Sequence, residues 1–239
     1  MKGIRASLGL LTCLPVGRIQ PVPLWTALWF WIPGFLAGLI WYGSARVFGM
    51  TGLGMVAAIA GEALLTGGVH WKGLANTFDG WMAPPGRRTA LRRDPRLSAG
   101  GVLFMALALL SFWGLWRQAG GVPPVTWILP PLFSRAMMAW GLSWRGVDSD
   151  SPQTAQWMLN TEGGTGSWVT LLISLLIGAY VAGFRAIDSF GGMLLLTGLF
   201  MLWARRLYRG MNEDVLYSAV IVAELLALYF LVASTPAIL

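Results

Sequence analysis

The 239-residue sequence predicts an all-α fold, a polytopic integral-membrane helical bundle, on three observations. Hydrophobic residues make up 56% of the chain, and mean hydropathy is +0.64. Charged residues make up only 11%, against about 25% in a soluble globular domain. The apolar residues also gather in runs long enough to cross a bilayer.

The runs fall at 24–43, 50–69, 99–117, 123–143, 167–184, 188–204 and 215–233, giving about seven transmembrane helices. The stretch from Leu8 to Val16 is apolar but too short to span, so residues 1–22 read as a short amphipathic or re-entrant segment. Pro15, Arg18 and Gln20 interrupt the first twenty residues, so no cleavable signal peptide is expected. No internal repeat or low-complexity tract stands out. Residues 1–239 are read as a single transmembrane domain.

Positive charge orients the layout. With the N-terminus inside, 13 cations become cytoplasmic: Lys2, Arg5, Arg18, Lys72, Arg87, Arg88, Arg92, Arg93, Arg96, Arg145, Arg205, Arg206 and Arg209. Only 3 fall outside, Arg46, Arg117 and Arg185. Lys and Arg concentrate in cytoplasmic loops, so the expectation is N-inside, C-outside. Segments near 70–98, 144–166 and 205–214 then face the cytoplasm, where soluble charged substrates reach them.

The net charge of +7 is accounted for by topology, and nucleic acid is not expected as a partner. The lipid bilayer is. Cys13 is the only cysteine and His70 the only histidine, which excludes an internal disulfide and any Cys- or His-rich metal site. The fourteen Trp residues, among them Trp25, Trp29, Trp31, Trp41, Trp113 and Trp116, read as interfacial anchors. Stacking of a planar ligand on some of them is the lesser reading.

Polar residues are concentrated between residues 62 and 101. Lys72, Asn76 and Asp79, spaced by four and three, share one helix face, with His70 at the start of that segment. The bland alternative for Asp79-Gly80 is a helix-ending turn. The run Arg92-Arg93-Asp94-Pro95-Arg96 follows. Asp94 suits a helix cap, and the arginines suit ordinary cytoplasmic charge. Guanidinium groups beside carboxylates also suit a phosphate site. A third cluster, Arg209 to Asp214, places Glu213 and Asp214 where acids oppose a helix dipole. Asp79, Asp94 and Asp214 all lie at cytoplasmic ends of expected spans, and convergent carboxylates with adjacent arginines suit Mg²⁺ and a phosphoryl group. Glu62, Arg135 and Glu224 lie inside apolar spans, where an unpaired charge is costly, so each is either functional or a helix-pairing residue.

These residues resemble the cobalamin synthase family, the membrane adenosylcobinamide-GDP ribazoletransferases. Thr66 to Gly80, TGGVHWKGLANTFDG, is similar to the family's T-G-G-x-H-x-D-G-x-A-D-x-x-D-G. Arg93 to Gly101, RDPRLSAGG, is similar to R-D-x-R-[LI]-G-T-x-G, and Gly210 to Ala219 to G-x-T-G-D-x-L-G-A. Leu11 to Val16 and the Ser134-Arg135 pair also have counterparts, in the same order along nearly the whole chain. The chain departs from the pattern at four places. Lys72 and Asn76 stand where the family has aspartates, Ser98-Ala99 replaces Gly-Thr, Asn212-Glu213 replaces Thr-Gly, and Cys13 replaces Arg.

The resemblance implies an inner-membrane, multi-pass enzyme. It joins α-ribazole, or its 5′-phosphate, to a corrinoid nucleotide, adenosylcobinamide-GDP, releasing GMP. It implies Mg²⁺ held by Asp79, Asp94 and Asp214. The same acids with His70 would be catalytic, and Lys72, Asn76, Arg93, Arg96 and Arg135 would bind substrate. The departures support a second expectation, a family paralogue without turnover that binds a ligand or a partner. Glu62 and Arg135 motivate a third and weaker one, a transporter. Whether copies associate as a homo-oligomer is left open.

Overall fold

The computed structural model describes residues 2–17, 26–94, 96–144 and 164–235, the side chain of Arg93 excepted. These residues form helices and no strand. In chain order the helices are α1 (Lys2–Leu11), α2 (Trp31–Phe48), α3 (Gly52–Thr66), α4 (Val69–Met82), α5 (Arg88–Arg93) and α6 (Ala99–Gln118). They continue as α7 (Leu129–Leu142), α8 (Thr165–Ala182), α9 (Phe184–Tyr208) and α10 (Glu213–Ala233). The segment 145–163, which holds most of the expected 144–166 loop, lies outside the described residues.

Local sequence sets several helix ends. The Thr51 hydroxyl caps α3 by accepting from the Gly54 N–H at 3.2 Å. The Asn212 side chain caps α10 by accepting from the Val215 N–H at 3.0 Å. Glu213 and Asp214 follow it in the first turn, opposing the helix dipole. Gly67 and Gly68, each with φ of +68°, end α3 and restart the chain as α4. Only glycine adopts that conformation without steric cost. The two helices meet at 92°.

Among the described residues, five helices are long and apolar enough to cross a membrane: Ala27–Phe48, Ala99–Gly121, Thr165–Ala182, Phe184–Tyr208 and Glu213–Ala233. The bent α3–α4 pair makes a sixth if it is one broken span. Seven were expected, and the difference falls on two runs. The run at 50–69 stops at Thr66 because of the glycine pair. The run at 123–143 opens with Pro123 and Pro124, takes a 3₁₀ turn over Pro124–Ile128, and gives the 14-residue α7. Fourteen α-helical residues rise about 21 Å, against a hydrocarbon core of about 30 Å.

α7 is the central helix of the bundle. All its residues except Trp140 are buried. Gly34 and Gly38 of α2 let the backbones approach closely. A Cβ on Gly38 would lie 2.5 Å from the Ile128 carbonyl oxygen, and one on Gly34 2.9 Å from that of Pro131. Small residues four apart are the usual means of tight helix packing in membranes. Gly178 of α8 likewise receives the Phe133 ring. A second core joins Trp41, Phe112, Trp116 and Trp127. Trp41 and Trp116, expected as interfacial anchors, are each 1% exposed and pack edge-on against one another at 6.0 Å. Their indoles fill space between helices. Trp113, at 45% exposed, remains free for an anchoring role.

The helix ends sort by charge. The Trp116 indole donates to the Gly49 carbonyl at 3.3 Å, joining the C-terminal ends of α6 and α2, near Arg117 and Arg46. The opposite end gathers the N-termini of α6 and α10 and the C-terminus of α9, with α4 lying across them. The arginine-rich segment 87–96 belongs to that end.

Candidate active site

α4 crosses the N-terminus of α10 because Gly73 permits it. A Cβ there would lie 2.3 Å from the Tyr217 Cβ and 3.0 Å from the Asp214 carbonyl oxygen. One turn later the Asn76 amide donates to Asp214 Oδ1 at 2.9 Å. Arg92, from α5, donates to Asp214 Oδ2 at 3.2 Å, and its guanidinium is 2% exposed. That guanidinium also lies over the Tyr208 ring, 5.6 Å from its centroid. The Tyr208 hydroxyl donates to the Thr77 carbonyl of α4. Asp214 is therefore the point where α4, α5 and α10 meet.

Lys72 and Glu213 border this cluster. Lys72 acts electrostatically on Asp214 and Glu213, and Asp214 acts on Glu213. Lys72 is exposed and makes no ion pair among the described residues. Glu213 is half-buried.

Asp79 lies on the same helix but does a different job. Its carboxylate accepts from the Ser98 N–H at 3.0 Å, from the Ser98 hydroxyl, and from the Gly101 N–H. It thus caps α6 from a neighbouring helix, satisfying backbone donors that Ser98 itself does not reach. Gly100 and Gly101 are needed for this approach, since a Cβ on Gly101 would lie 2.8 Å from Asp79 Oδ2.

Asp94 is exposed, and its Oδ1 accepts from the Arg96 N–H at 2.9 Å, a local turn. Arg96 is exposed beside it. The side chain of Arg93 lies outside the described atoms. The arginine that reaches Asp214 is Arg92, which the sequence placed in the 92–96 run without singling it out as a substrate-binding residue. Its signal was its spacing, four residues after Arg88 on the same helix face. Nothing in the sequence pointed to Tyr208.

The expected convergence of Asp79, Asp94 and Asp214 on one Mg²⁺ is not what the geometry gives. Among the described residues, no three His, Cys, Asp or Glu side chains could hold one metal ion. Asp79 is occupied by α6, Asp214 by Asn76 and Arg92, and Asp94 by its own turn. The resident donor set does not fit a protein-held Mg²⁺.

The interior charges form a separate network. Arg135 donates to both Glu62 and Glu224, and to the Ser134 hydroxyl at 2.9 Å. The Trp41 indole donates to Glu62 Oε2 at 2.7 Å, and the Ser134 hydroxyl contacts Glu224 Oε1 at 3.1 Å. Arg135, expected to bind substrate, is fully buried, and both terminal nitrogens of its guanidinium are committed to these carboxylates. The triad ties α3, α7 and α10 together. His70 is 1% exposed and packs edge-on to Tyr217 at 5.5 Å. Neither of its ring nitrogens has a hydrogen-bond partner among the described residues.

The arrangement presents ammonium and guanidinium groups beside fixed carboxylates at one end of an apolar bundle. Such a set can neutralise a phosphorylated ligand and hold it in place.

No solved structure matches the chain. Curated relatives named adenosylcobinamide-GDP ribazoletransferase do. One from Shewanella baltica (strain OS185) is 29% identical over 236 residues, covering 88% of each chain. One from Shewanella baltica (strain OS155 / ATCC BAA-1091) is 30% identical over 218 residues, covering 85% of this chain and 81% of its own. One from Shewanella sp. (strain ANA-3) is 27% identical over 236 residues, covering 88% of each chain. A family model described as cobalamin-5-phosphate synthase matches residues 3–232. From helix α1 to nearly the end of α10, the chain belongs to the cobalamin-5-phosphate synthase family.

Proposed function

We propose that this chain transfers α-ribazole, or its 5′-phosphate, onto adenosylcobinamide-GDP with release of GMP, the nucleotide-loop assembly step of cobalamin biosynthesis. The observation that carries the reading is the family match over nearly the whole chain. The meeting of Lys72, Asn76, Arg92 and Asp214 at one end of the bundle supplies its chemistry. In this reading that end faces the cytoplasm from the inner membrane, as the 13-to-3 distribution of cations favours.

The ribazole hydroxyl oxygen attacks the cobinamide-side phosphorus. The P–O bond to the GMP phosphate breaks, and GMP leaves with the bonding electrons. The site must therefore neutralise the pyrophosphate and align the two groups. Lys72 and Arg92 supply positive charge. Asp214 holds Arg92 and Asn76 in register, and Asp79 fixes α6 against α4 and so positions Ser98. Glu213 is the half-buried carboxylate beside Lys72 and takes the hydroxyl proton. His70, with its two unpartnered nitrogens, is the alternative acceptor. Arg96, exposed on the same segment, extends the basic surface toward the nucleotide.

A second reading, a relative that binds the ligand without turnover, is favoured by the occupied state of Asp79 and Asp214. The test is chromatographic detection of GMP and of the joined cobamide from purified protein, adenosylcobinamide-GDP and α-ribazole. Both products are expected. Ligand binding with neither product formed, in Mg²⁺ and in chelator, selects the second reading.

A further inference from the structure

The mismatch with Mg²⁺ has a specific physical form. An ionised carboxylate has about four lone-pair sites. Asp79 uses three of them on Ser98 and Gly101, and each oxygen of Asp214 already carries a donor. Charge is balanced as well. Three acids, Asp79, Glu213 and Asp214, share the neighbourhood with three bases, Lys72, Arg88 and Arg92. Affinity for a hard divalent cation rises with the number of anionic ligands, and a balanced cluster has no surplus. Lys72 stands one turn before Asn76, exposed and without an ion-pair partner among the described residues. An ammonium there is a compact point charge suited to phosphate oxygens.

We infer that this chain binds a pyrophosphate group through resident cations, Lys72 foremost, and holds no divalent metal with its own side chains. The identity of the full ligand rests on the proposed function; the mode of pyrophosphate binding does not. Lys72 substitutes for the metal's charge, and Arg92 with Asn76 keeps Asp214 from acting as a metal ligand.

The experiment uses the full chain in lipid nanodiscs. Inorganic pyrophosphate is titrated calorimetrically in EDTA and in Mg²⁺, and Mn²⁺ is titrated alone with detection by electron paramagnetic resonance. Pyrophosphate binding in EDTA is expected, with no saturable Mn²⁺ site. Lys72→Ala is expected to weaken pyrophosphate binding in EDTA on the order of tenfold, the loss of one favourable charge contact. Lys72→Asp is expected to weaken it further, since it leaves four acids against two bases in the cluster. Pyrophosphate binding only with Mg²⁺, no binding at all, a saturable Mn²⁺ site in the wild type, or unchanged affinity in Lys72→Ala overturns the inference. GMP release is followed in parallel. Its absence under every condition sinks the transferase reading while the pyrophosphate and Mn²⁺ titrations still decide this one.

Discussion

Arg92 and Asp214 form a buried ion pair at 3.2 Å, with side chains 2% and 12% exposed, joining segments 122 residues apart. Removing one partner of a buried pair strands the other charge, at about 3–5 kcal/mol. Arg92→Ala is therefore expected to lower thermal stability by about that amount, and Arg92→Ala with Asp214→Ala to recover part of it. A double-mutant cycle followed by thermal unfolding measures the coupling. Additive losses would mean that the pair is not an energetic unit.

Asp79 as a cap and Asp79 as a metal ligand predict different mutants. Asn keeps an acceptor for the α6 amides, so Asp79→Asn should retain most of the stability, and Asp79→Ala should lose about 0.5–2 kcal/mol, as for other caps. Melting temperatures of both variants, with and without Mg²⁺, settle this. Stabilisation of the wild type by Mg²⁺ that Asp79→Asn abolishes would return Asp79 to a metal-binding role.

The Glu62–Arg135–Glu224 triad is expected to be essential for assembly. Arg135→Ala leaves two carboxylates facing each other in an apolar interior, and loss of folded protein is expected on size-exclusion chromatography. Arg135→Met combined with Glu62→Gln and Glu224→Gln should restore folded protein. A restored triple variant that also releases GMP would confine the triad to a structural role.

Gly73 tests the crossing of α4 over α10. A methyl group at 2.3 Å from the Tyr217 Cβ forces the helices apart, and overpacking of this kind costs about 1–3 kcal/mol. Gly73→Ala is expected to reduce GMP release more than Gly68→Ala does, although Gly68 has the positive φ, because only Gly73 meets the backbone of Asp214. Equal losses would argue against the crossing as the feature that shapes the site.

Sidedness is tested by the single cysteine. Cys13 is exposed, and its N–H donates to the Leu65 carbonyl at 2.7 Å, which places it by the α3–α4 bend. A membrane-impermeant maleimide should label Cys13, or Arg87→Cys in a Cys13→Ser background, only after permeabilisation. Labelling of either in intact cells reverses the orientation.

The sequence by itself determined the class and the lineage. Apolar transfer energies add residue by residue, so composition and run length suffice to specify helices in a membrane, and the order of Thr66–Gly80, Arg93–Gly101 and Gly210–Ala219 suffices to specify the family. It also placed Lys72, Asn76 and Asp79 on one helix face, because that relation depends on helical spacing alone. The number of spanning helices was not legible. A protein interior and a lipid tail are equally apolar, so hydropathy does not separate the buried α7 from a lipid-facing helix. The pairings were not legible either. Arg92 meets Asp214, Asp79 turns to α6, and Arg135 joins Glu62 and Glu224 across 73 and 89 residues. Only the tertiary structure decided these, because a charged side chain takes the partner that packing brings within hydrogen-bonding reach, and that distance is set by helices far apart in the chain.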